Sequence, residues 1–282
     1  MPAIFVIARL TFREALRRRI ALAALILGVA FLVLYNVGLY FLNQDLTRSV
    51  RGQPLEQATT NGIYNFLLMA GLYAVNFLTL AMGALLSADT LAGEIATGTI
   101  QSLVTKPIWR GAVVLGKWLG FAGMLAVYLL LMAGGVMVSL WLQTGYTAPN
   151  IPRGLSLIYL TGLLVMTVTL LCSSRLSALA TGGVVFGLYG LAFIGGWVEQ
   201  IGAFLRNTTA VNIGILSSLL IPSEALWRRA AYEMASPLMQ AAGFVSPFSS
   251  TSVPSPLMMG YAVVYLLVVL GLAVRVFQQR DL

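Results

Sequence analysis

Residues 89–117 read DTLAGEIATGTIQSLVTKPIWRGAVVLGK, a polar stretch set between two long apolar runs. Asp89 is placed to cap one helical turn, Gly93 and Gly98 bring backbone freedom, and Thr99 is placed to cap a short run over 100–104 that Lys106 and Pro107 end. The spacing predicts a small helix held between two breaks. The flanking runs, 63–88 and 112–141, are each long enough to cross a bilayer, which needs about 20 apolar residues. Between two such crossings the small helix belongs at a membrane surface, with Glu94, Lys106, Arg110 and Lys117 expected to face water.

Composition sets the class. Of 282 residues, 59% are hydrophobic and 9% charged, and the mean hydropathy is +0.89. Soluble domains carry about a quarter charged residues, so this chain reads as an integral membrane protein. Its formal net charge of +8 is the basic excess that flanks membrane spans, which argues against nucleic-acid binding. One cysteine, Cys172, excludes an internal disulfide, and with no histidine no metal site is expected.

Working outward, residues 3–19 have helical periodicity. Phe5, Ala8, Phe12, Ala15 and Leu16 share one face and Arg9, Arg13 and Arg17 another, as in a helix lying in the membrane interface. The apolar run that follows is too long for a secretory signal, and no small-residue cleavage site ends it. Six spans are expected, at about 20–42, 63–88, 112–141, 155–172, 178–198 and 257–277. The fold class is therefore all-α, a polytopic membrane protein with six transmembrane helices in one transmembrane domain over 1–282. An external segment, 199–255, separates the last two spans. Within it, 208–221 is too short to span and Pro222 ends it, so it reads as re-entrant or interfacial. Ser223 is placed to cap a helix whose stripe of Trp227, Ala230, Ala231, Met234 and Leu238 lies opposite Glu224, Arg228 and Arg229, which suggests the outer surface. Six spans put both termini in the cytoplasm. They leave six basic residues outside (Arg48, Arg51, Arg153, Arg206, Arg228 and Arg229) and eleven of the 17 inside, as the positive-inside rule demands.

Two spans carry unusual residues. Asn65, Asn76 and Thr79 fall on one side of the second, a side expected to face protein or water. Gly183, Gly187 and Gly190 in the fifth allow close backbone approach. Packing within the chain and a seam between two copies are both open readings, the second placing a translocation path at an interface of the second and fifth spans. Residues 111–117, GAVVLGK, match most of a phosphate-binding loop, yet Trp118 stands where a magnesium-binding hydroxyl is needed. The chain is not expected to be an enzyme or to hydrolyse ATP.

The order GE-x3-GT at 93–99, a short apolar run, K-P-x2-R at 106–110 and LGK at 115–117 resembles the cytoplasmic loop of ABC-2-type permeases, the membrane subunits of one class of ABC transporter. IARLTFREALRRRI at 7–20 is similar to the N-terminal interfacial helix of that family, and FQQRDL at 277–282 to its usual ending. The resemblance implies a coupling segment over 89–110 with a cytoplasmic coupling helix. It also implies two permease subunits, a second copy or a paralogue, above two cytoplasmic ATPase subunits. Carried over by position, Glu94 is the acidic residue of the GE motif, and Gly98, Thr99, Leu103, Lys106, Pro107 and Arg110 form the contact with the ATPase, flanked by Arg9 and Arg13. Between Glu94 and Gly98 this chain lacks the further charges of many relatives. ATP and magnesium would then bind in the partner, and this chain would bind no cofactor. The expected place is the plasma (inner) membrane, and the expected direction is export. An ion-coupled secondary transporter needs intramembrane carboxylates, which the spans nearly lack. That alternative, and a structural membrane subunit of a larger complex, stay open.

Overall fold

A computed structural model describes residues 3–50, 57–96, 109–236 and 252–279. Its helices are α1 (Ala3–Arg17), α2 (Arg19–Val50), α3 (Gln57–Ala96), α4 (Arg110–Thr144), α5 (Ile151–Ser173), α6 (Ala178–Phe204), α7 (Thr208–Leu220), α8 (Ser223–Met234) and α9 (Pro256–Gln278). Among the described residues, six helices are long and apolar enough to cross a membrane: α2 to α6, and α9. The all-α polytopic architecture expected from the sequence is the one observed.

Consecutive spans run up and down, as bonds at the two ends of the bundle show. At the far end, Asn43 Nδ2 donates to the Gln143 carbonyl at 3.1 Å and Tyr64 donates to Asn43 Oδ1 at 2.9 Å. At the end that holds the N-terminus, the Trp118 indole donates to Thr167 Oγ1 at 2.8 Å, and Arg18 Nη1 approaches Thr90 Oγ1 at 3.4 Å. The core is α3, α4 and α5; their apolar windows are 50 to 61% buried, against 11% for α2 and 22% for α9. Several hydroxyls inside this core bond back along their own helices, as Thr167 does to the Leu163 carbonyl at 2.6 Å and Thr169 to Val165 at 2.7 Å. A buried hydroxyl satisfied this way needs no partner from another helix.

The structure corrects several expectations. Asp89 does not cap a helix, because α3 runs unbroken through it to Ala96. The Asp89 carboxylate instead lies over Gly93, where the missing side chain leaves it room. At 40 residues α3 is about 60 Å long, twice the ~30 Å of a bilayer's hydrocarbon core, so it projects well beyond the membrane. Lys117 does not face water: it is 4% exposed, because α1 lies across α4 at that level. The face α1 turns to the protein is Ile7, Thr11 and Ala15, while Phe5 and Leu16 stay exposed. The fifth span does not stop at 198 but continues to Phe204, which brings Glu199 and Gln200 into the helix.

The largest correction concerns α8. It does not lie on a surface: Glu224, Trp227, Arg228 and Met234 are all buried. Glycines on its neighbours let it sink. Glu224 lies against Gly196, Met234 against Gly154, and Trp227 meets the Tyr73 ring at a 5.0 Å centroid distance. Ser223 is the first residue of α8 and makes no cap bond. Between α7 and α8 the chain turns by 108° at Ile221 and Pro222. Helix α7, at 13 residues, is about 20 Å long and doubles back along the end of α6. Gly195 receives Ser217, Gly202 receives Ala210, and Gly214 receives Glu199.

Candidate functional site

Three places hold residues with chemistry to offer. The first is the end of the bundle where α1, the end of α3 and the start of α4 meet. Gly116 and Gly120 of α4 form a seat for α1: a Cβ on Gly116 would stand 2.7 Å from the Ile7 side chain, and one on Gly120 would stand 2.7 Å from the Ala8 carbonyl oxygen. The resemblance of 111–117 to a phosphate loop is thereby explained, since these residues are helical and the glycine serves packing. Arg9 and Arg13 are exposed on the free side of α1. Glu94 falls in the last turn of α3 and Arg110 opens α4. Gly98, Thr99, Leu103, Lys106 and Pro107, with the short helix expected over 100–104, lie outside the described residues.

The second place is the pair of spans singled out for their polar and glycine content. The structure separates the two sets. Asn65, Asn76 and Thr79 are buried, turned into their own bundle. Asn65 is a staple: its Nδ2 donates to Tyr146 Oη and to the Met234 carbonyl, both at 2.9 Å, while Oδ1 accepts from Ser236 N at 3.1 Å. Burial pushes the Tyr146 phenol above its ordinary pKa, and the Asn65 bond opposes this. Thr79 Oγ1 has no hydrogen-bond partner among the described residues. Gly183, Gly187 and Gly190 face the other way, with nothing within 4 Å of a Cβ built on any of them.

The third place was not identified from the sequence. Glu199 on α6 and Arg228 on α8 form a buried ion pair, 4% and 1% exposed. Arg228 Nη2 donates to Glu199 Oε2 and Nη1 lies against Oε1, each at 2.7 Å, while Ser252 Oγ donates to Oε1 at 2.7 Å. Glu224 is beside it, with Oε2 lacking a hydrogen-bond partner among the described residues. The signal was present: three ionisable residues in a segment bounded by apolar runs are a functional hint in a membrane protein. Placing α8 at a surface concealed it. Among the described residues no cluster of acidic, histidine or cysteine side chains suits a metal ion.

The sequence profile described as ABC-2 family transporter protein matches residues 5–282. The chain belongs to the ABC-2 transporter family. A match of this length takes in every span, so the up-and-down bundle is an ABC-2 membrane domain. A curated relative, the probable ABC transporter permease protein NosY of Pseudomonas aeruginosa, is 29% identical over 140 residues, covering 50% of this chain and 46% of that protein. The chain thus matches about half the length of this relative. Family and architecture together make this ABC-2 protein a multi-pass membrane component of a transport system.

Proposed function

We infer that this ABC-2 protein is the permease subunit of an ATP-driven transporter, and that a separate ATPase drives it through residues 89–110. The family match over 5–282 carries this reading. The geometry supports it: α3 projects past the membrane to Ala96, α4 returns from Arg110, and α1 is seated on α4 beside them. The described helix ends on either side of the segment lie at the end of the bundle that holds the N-terminus. Glu94, Gly98, Thr99, Leu103, Lys106, Pro107 and Arg110 form the proposed contact, with Arg9 and Arg13 exposed nearby. ATP and magnesium belong to the partner, and this chain contributes positioning and the path. The transporter exports its substrate, and both termini face the cytoplasm of a cell whose inner membrane holds the protein.

Two copies, or this chain and a paralogue, meet at the uncovered glycine face of α6. Its openness supports that placement, because glycines packed against nothing in one copy leave room for a backbone from another. The translocation path then runs beside α3 and α6, where Asn76 and Thr79 lie one layer in.

Reversing charge at Lys106 and Arg110 (K106E, R110E) tests the coupling contact. A candidate partner ATPase co-expressed with this protein should co-purify with the parent chain and be lost from the double variant, while thermal unfolding in detergent stays unchanged. Full retention of the ATPase would overturn the proposal.

A further inference from the structure

The transport reading leaves unused a cavity of about 450 Å³ between α7, α8 and the start of α9, a size in the range of small-molecule sites, roughly 300–1,000 Å³. Its wall is apolar: Ile215 and Leu219 from α7, Val253 and Pro254 from the segment before α9, and Leu257 and Met258 from α9 itself. Two tyrosines fasten α9 to α7, Tyr261 donating to the Leu219 carbonyl at 2.6 Å and Tyr265 to Leu220 at 2.8 Å. These bonds satisfy carbonyls that a helix end otherwise leaves open, so the wall is fixed rather than a loose gap.

The polar side of the cavity differs in kind, being formed by Glu199, Arg228 and Ser252. Glu199 matches the charge of Arg228 and accepts a hydrogen bond from Nη2, while Nη1 lies 2.7 Å from Oε1 without a hydrogen bond. Arg228 Nε, like Nη1, has no hydrogen-bond acceptor among the described residues although the residue is 1% exposed. A buried N–H without an acceptor is unfavourable and rare in folded proteins. Because the guanidinium is already neutralised, the missing acceptor need not be an anion. An uncharged oxygen suffices, and the apolar wall asks that it be attached to a hydrocarbon chain.

We propose that this cavity binds an acyl amphiphile, its chain against Leu219 and Met258 and its ester or amide carbonyl oxygen accepting from Arg228 Nε. A glycerolipid of the bilayer and a transported acyl compound share this chemistry. The site stands on the cavity and the ion pair, so it does not depend on the ATPase assignment.

The full chain is reconstituted in phosphatidylethanolamine and phosphatidylglycerol vesicles holding a trace of phosphatidylcholine with a diazirine on its acyl chain. After illumination, mass spectrometry maps the adducts. Residues 215–219 and 257–261 should be labelled several-fold more than Val264 and Val268, which are exposed on the same α9. Leu219→Trp, which fills the cavity, should lower the first labelling several-fold and leave the second unchanged. Arg228→Lys keeps the charge but lacks the Nε donor, and should also reduce it. Extraction of the purified protein then separates the two sources: a host glycerolipid identifies a resident lipid, a different acyl compound identifies cargo. Labelling equal to that of Val264 and Val268 and unaffected by Leu219→Trp would overturn the proposal, whatever became of Arg228→Lys.

Discussion

Arg228 and Glu199 are each held by the other inside the protein, so the effect of removing one depends on what is left behind. Arg228→Met strands the Glu199 carboxylate, and breaking a buried pair in this way is expected to destabilise by about 3–5 kcal/mol. Replacing both, as Arg228→Met with Glu199→Leu, removes the stranded charge and should restore most of that loss. Thermal unfolding of the three variants in one detergent measures it; a double variant as unstable as the single would show that the pair is not an isolated unit. Asn65 makes a related point. Its three bonds join α3 to the loop at Tyr146 and to the end of α8, a role that its position in an apolar span announces only as a polar group in need of partners.

At the scale of elements, the same residue type does opposite work on two helices. On α4, a side chain at Gly120 would strike the backbone of α1, and backbone yields little. Gly120→Leu should therefore release α1, read as faster proteolysis within residues 3–17 of the folded protein, whereas Gly134→Leu, at a site with nothing within 4 Å, should leave the proteolysis pattern unchanged. Equal protection in both variants would mean α1 is held by something other than this seat. On α6, a leucine at Gly187 meets no neighbour in its own chain, so the monomer should keep its unfolding temperature. If α6 forms the seam between copies, Gly187→Leu should reduce crosslinking between cysteines placed at Val184 of each copy, and unchanged crosslinking would move the seam elsewhere.

For the whole molecule, the orientation is open to direct test. In a Cys172→Ser background, a cysteine at exposed Thr147 should react with an impermeant thiol reagent applied to intact cells, and one at Leu176, in the turn between α5 and α6, should react only after lysis. The reverse pattern would invert every assignment of inside and outside made for this chain. Among the described residues six helices are long enough to cross singly; α7 alone is too short, and a seventh crossing would need α7 and α8 to act as one span bent by 108°.

The amino-acid sequence alone determined the number of spans, their order and the family, because a bilayer sets a length that apolar runs must reach and the polar stretch at 89–117 cannot be placed inside one. It did not determine what each face of a span touches. Lipid tails and leucine side chains are equally apolar, so hydrophobic periodicity cannot separate a helix face that meets protein from one that meets lipid. For that reason Gly116 and Gly120, which seat α1, look the same in sequence as Gly187 and Gly190, which touch nothing. The polar and charged groups of α8 suggested water by the ordinary rule for an amphipathic helix. Only the tertiary structure supplied Glu199, Tyr73 and Gly196 as neighbours, and it did so by folding α7 back on α6 and then turning by 108° into α8, an arrangement whose packing depends on residues far apart in the chain.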